Sequence, residues 1–117
     1  MAAKKKKKLK LAAGPPTIHE ATLACGPSGA VLKGSEIDLT TAVMRRQAGE
    51  NIVVCGDDID ANRHLAQTIE ASVGPYRQER FHRKPGPLAL PHFQQADKPP
   101  YGHSFYETSQ RKARKQP

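Results

Sequence analysis

The stretch IVVCGDDIDANRHLAQTIEASVGP, residues 52–75, places two apolar periods back to back. Ile52-Val53-Val54-Cys55 is an unbroken apolar run of four residues, the pattern of a short strand buried on both faces. After Gly56, the carboxylates Asp57, Asp58 and Asp60 crowd the place where a helix would have its positive end. Leu65, Ala66, Ile69 and Val73 then recur at spacings of one, three and four, so a helix from about Asp58 to Val73 has one apolar face. Gly74-Pro75 ends it, because proline cannot continue a helix.

Working upstream, Asp38 is placed to cap another helix, with Leu39, Ala42, Val43 and Met44 largely on one side, Arg45 and Arg46 near its end and Gly49 as its stop. Before it, Thr17 to Ala24 has strand composition, and the turn Gly26-Pro27-Ser28-Gly29 leads into the short run Ala30-Val31-Leu32, which predicts a hairpin. Downstream, Tyr76 to Pro87 is basic and irregular. Leu88 to Gln94 and His103 to Thr108 form a closing pair of strands across a linker with Asp97, Lys98, Pro99, Pro100 and Gly102. This order predicts an α+β fold, a small, mostly antiparallel sheet with two helices packed on one face. The expected domain covers residues 14–108, between basic disordered tails at 1–13 and 109–117.

The formal charge of +8 sits at the ends of the chain. Six lysines within residues 1–10 and Arg111, Lys112, Arg114 and Lys115 account for ten of the nineteen cations. The other nine face all eleven acids, so residues 11–110 carry a net −2. General attraction to RNA or another polyanion is therefore expected from the tails, and such like-charge runs are ordinarily solvated. Leu9 to Ala13 is interrupted by Lys10 and too short for a signal peptide, and no run is long enough for a transmembrane segment, so a cytoplasmic location is expected. Cys25 and Cys55 lack paired metal or redox spacing and read as buried free thiols, a single disulfide between them being the alternative. No phosphate-binding loop, dinucleotide fingerprint or serine-nucleophile elbow is present.

Chemistry, if the chain performs any, belongs to the last third. Imidazoles exchange protons near neutral pH, and two of them beside a cation suffice to cleave RNA without a metal, the 2′-hydroxyl being the nucleophile. His92 and His103 are the candidate base and acid, Arg80 or Arg83 the stabiliser of the charged phosphorane, and Tyr106 or Ser104 the group that orients the phosphate. The alternative stays open: a histidine in a short strand is commonly a surface or hydrogen-bonded core residue. His64, on the polar side of its helix, and His19, beside Glu20, read as structural. Arg77, Phe81, His82 and Lys84, with Tyr76, mix cations and aromatic rings in a way that suits single-stranded RNA, or form a solvated loop. His82, His92 and His103 with Asp97 or Glu107 offer mixed metal ligands, but their spacing fits no zinc signature, and no metal or cofactor is expected.

At Asn62-Arg63-x-x-Ala66, Val73-Gly74-Pro75, Leu90-Pro91-His92-Phe93 and Gly102-His103-Ser104-Phe105-Tyr106, the chain resembles small C-terminal modules of bacterial polymorphic toxins, over roughly residues 50–108. Many such modules are ribonucleases, so the resemblance implies RNA cleavage, with His92 and His103 as acid and base and Arg80 or Arg83 nearby. It also implies a cognate immunity protein as partner. The lysine-rich leader departs from that pattern, where a long delivery region would stand. The reading from another class is a non-catalytic module that binds nucleic acid or an acidic protein through its basic tails.

Overall fold

The first strand, β1 (Thr17–Leu23), lies between β2 (Val31–Ile37) and β3 (Asn51–Cys55), antiparallel to both, in the computed structural model of the chain. Residues 14–24, 29–79 and 89–115 are described. Cys25, Arg80, Phe81, His82, Arg83 and Lys84 lie outside the described residues, as does the leader 1–13.

Helix α1 (Leu39–Gln47) joins β2 to β3 and starts where expected, because the Asp38 carboxylate accepts the Thr41 backbone N–H at 2.8 Å. That bond holds the Asp38 carboxyl below its usual range. Helix α2 (Ile59–Val73) follows β3, with Asp58 accepting from the Ala61 N–H at 3.1 Å. Three further strands, β4 (Tyr76–Glu79), β5 (His92–Gln95) and β6 (Ser104–Tyr106), and the two-residue β7 (Arg114–Lys115) complete the sheet.

The fold is α+β, with a sheet of seven strands in the order β4-β5-β6-β3-β1-β2-β7. It is larger than the small sheet expected. Four strand pairings are antiparallel; β3 with β6 and β2 with β7 are parallel. The reading of Tyr76 to Pro87 as irregular is corrected at its start, where β4 runs antiparallel to β5 with Tyr76 opposite Gln95 and Gln78 opposite Phe93. The expected C-terminal tail is described as far as Lys115, and its residues Arg114–Lys115 lie along β2.

Alternate strand residues build two cores. Ile18, Ile52, Val54, Phe93 and Tyr106 meet Ala42, Ala66 and Ile69 of the helices on one side of the sheet. On the other side Ala21, Val31, Val53, Cys55 and Phe105 meet Leu90, with Ala113 packed against them. β3 supplies both cores, which is why it reads as an unbroken apolar run rather than an alternating one. No helix among the described residues is long and apolar enough to cross a membrane.

Candidate functional site

His92 stands opposite Phe105 in the antiparallel β5–β6 pair, and His103 precedes β6 by one residue, two positions from Phe105. Side chains two apart share a face of a strand, so the pairing brings both imidazoles to the face away from the helices. Their ring centroids are 4.4 Å apart in an edge-to-face arrangement, and each ring also touches Phe105, at 5.3 and 5.2 Å. His92 is fully buried, whereas His103 is only partly buried. The His92 Nδ1 lies 3.4 Å from the Leu90 carbonyl. Since a carbonyl only accepts, Nδ1 carries the hydrogen, and Nε2 is the basic nitrogen of the neutral ring.

The backbone of His103 is held on both sides. Its N–H donates to Asn51 Oδ1 at 2.8 Å, and its carbonyl accepts from the Ile52 N–H at 3.1 Å. Asn51 is anchored in turn by Arg45, whose Nε and Nη2 both donate to the Asn51 carbonyl. Arg45 is also 2.7 Å from a Glu50 carboxylate oxygen.

Beneath this strand lies a buried ion pair that the sequence reading did not identify. Arg46 and Glu70 are both wholly inaccessible and meet bidentately, Nε to Oε1 at 2.9 Å and Nη2 to Oε2 at 3.0 Å. The remaining guanidinium hydrogens donate to the carbonyls of Glu50, Tyr101 and Gly102. Glu70 also accepts from Ser104 Oγ at 2.7 Å and Gln95 Nε2 at 2.6 Å. Every polar hydrogen of the guanidinium is used, which is the condition for keeping a charge away from water. Gly102 is required here: its φ is +95°, and a Cβ would stand 2.7 Å from Arg46 Nη1 and 2.9 Å from the Gly49 carbonyl oxygen.

The other site residues named from the sequence fall into three groups. Tyr106 and Ser104 are on the helix side of the sheet, away from the histidines: Tyr106 packs against Phe93 and accepts from Gln78 Nε2 at 2.7 Å, and Ser104 serves Glu70. Arg77 is exposed on the edge strand β4 opposite Gln94. Strand alternation puts it on the same face as His92. Arg80, Arg83, Phe81, His82 and Lys84 lie outside the described residues. No group of three or more His, Cys, Asp or Glu side chains able to hold a metal occurs among the described residues. The ring of His19 bridges Thr17 Oγ1 at 3.0 Å and the Gly34 carbonyl at 3.1 Å, and His64 is exposed on α2.

Asn62 is buried and ties three segments together. Its Nδ2 donates to the carbonyls of Gly56 and Glu107, at 3.0 and 3.1 Å. Both polar residues of the α2 core face could have been found in the sequence, since Asn62 and Glu70 stand four residues on either side of Ala66, in line with the apolar stripe.

No family model, curated protein or solved structure matches the chain.

Proposed function

We propose that this protein is a metal-independent endoribonuclease, similar in activity to the nuclease modules of polymorphic toxins, and that the histidine pair carries its proton transfers. The observation that supports the reading is the ring contact of His92 and His103 at 4.4 Å on one face of the sheet, with only His103 reaching solvent.

Exposure divides the roles. His103 is the group that meets RNA: it takes the proton from the 2′-hydroxyl as that oxygen attacks the phosphorus, and the imidazolium so formed returns it to the departing 5′-oxygen as the P–O bond breaks. His92 lies against it, its tautomer set by Leu90, and supports the ring that receives the proton. Arg77 is on the same face, and Arg80 or Arg83 from the adjoining segment supplies the cation for the phosphorane. An immunity protein that covers this face would be the partner.

Cleavage of labelled RNA by the full chain in excess chelator is expected, and His103→Ala should lower the rate by roughly a hundredfold or more. An unchanged rate in that variant, or no cleavage by the wild type, overturns the proposal. The complete burial of His92 favours one rival, a non-catalytic nucleic-acid-binding module, in which RNA binds with a steep salt dependence and no product forms.

A further inference from the structure

At the far edge of the sheet from β4 four cations gather, with Lys33 and Lys115 on the same face as the histidines. Lys33 of β2 stands directly opposite Lys115 of β7, with Arg114 opposite the neighbouring Leu32. Like charges across a strand pair repel, so this register opposes the strand pairing it belongs to. Lys112 lies in the segment leading into β7, its Nζ 3.4 Å from the Gly56 carbonyl. None of Lys33, Lys112, Arg114 and Lys115 has a carboxylate within ion-pairing distance among the described residues.

Lys33 and Lys112 border an open cleft of about 450 Å³, with Thr17, Cys55 and Gly56 among its walls. Asp57 and Glu107 also line it. The Glu107 carboxylate is already occupied, accepting from the Gly56 N–H at 3.2 Å and the Ala113 N–H at 2.8 Å. Lys33 and Lys112 offset those two acids, and the surplus charge lies beside the cleft, on Arg114 and Lys115. A second open groove, lined by Gln110, Lys112, Arg114 and Lys115, shares Lys112 with the first. The cations therefore follow a line rather than surround a point, which suits a chain of phosphates better than a single one.

We propose that the cleft and the adjoining groove together form a subsite for the phosphodiester backbone of single-stranded RNA, remote from the histidine pair. The choice of RNA rests on the function proposed above. β7 is four strand spacings from β6, roughly 19 Å, so a short oligonucleotide can span both places. Binding of a phosphate between Lys33 and Lys115 would relieve their repulsion and fasten β7 to the sheet.

The test is fluorescence anisotropy of the full chain with a labelled, 2′-O-methylated single-stranded dodecamer, which cannot be cleaved and so separates binding from catalysis. The triple variant Lys33→Gln, Lys112→Gln, Lys115→Gln should bind about tenfold more weakly near 0.1 M salt. The slope of log affinity against log salt should become shallower by about 2, since each phosphate contact on a single strand contributes about 0.7. A control variant with Lys4→Gln, Lys5→Gln and Lys6→Gln removes the same charge from the leader and should change both quantities less. Equal effects of the two variants, unchanged binding by the cleft variant, or no binding by the wild type overturns the subsite. Cleavage of unmodified RNA is read separately. Binding through the cleft without any cleavage would leave the subsite standing and overturn the nuclease reading, and cleavage unaffected by the cleft variant would do the reverse.

Discussion

Cys55 shows how much a residue's surroundings decide about its chemistry. The residue is 5 % exposed at the end of β3, and burial, followed by the negative charge of Glu107, pushes the pKa of its thiol from 9.0 up to about 12. A thiol with so little thiolate is a poor nucleophile, so its place beside a cleft does not make it reactive. The shift has a consequence for stability. Above pH 9 the unfolded chain loses this proton while the folded chain keeps it, so the unfolded state gains and stability falls as pH rises towards 12. The decline through this one group is about 1.4 kcal/mol per pH unit. Urea unfolding of wild type and Cys55→Ala between pH 9 and 11 should show a shallower decline in the variant, and parallel curves would refute the assignment. Asn62 teaches the complementary lesson: a buried polar side chain on a helix joins three backbone segments.

At the level of elements, both helices were legible because their ends are written in local chemistry, Asp38 and Asp58 at the starts and glycines just beyond the ends. The closing strands were legible as well, and their antiparallel pairing turned two conspicuous histidines into a contact. β4 was not, because Gln78, on its helix side with Tyr76, is polar and exposed, so polarity hides the alternation. Neither was the Arg46–Glu70 pair, since its partners are 24 residues apart and Arg46 looks from the sequence like an ordinary cation at a helix end. That pair joins α1 and α2 to β5, β6 and the turn before His103. Glu70→Gln removes the charge and sets an amide against the guanidinium, leaving Arg46 buried and uncompensated. The expected loss is about 3–5 kcal/mol of unfolding free energy in urea. A loss under 1 kcal/mol would mean that water reaches the pair. Because Arg46 also grips the carbonyls of Tyr101 and Gly102, the same substitution should loosen the turn that delivers His103.

At the scale of the whole molecule, no helix among the described residues covers the second face of the sheet, and the covering is assembled from parts that sequence reading treats as peripheral. Strand order is set by pairings between distant segments, so local patterns do not encode it, and β7 is too short and too charged to read as a strand. Yet the segment from Glu107 to Lys115 folds back along this face. Glu107 accepts the Ala113 N–H, Arg111 Nη1 donates to the Ala89 carbonyl at 2.9 Å, and Ala113 packs against the core of Val53, Cys55, Leu90 and Phe105. Ending the chain at Thr108 removes those two hydrogen bonds, each worth about 1 kcal/mol net, and uncovers apolar surface. The truncated chain should therefore lose roughly 2–3 kcal/mol of stability, and its Cys55 should react faster with an aromatic disulfide at pH 8, since the cover over that thiol is gone. If residues 109–117 were only a loose polyanion-binding tail, neither the urea midpoint nor the thiol rate would change. The two measurements also separate a cover from a staple: a staple lowers the midpoint alone, whereas a cover changes both.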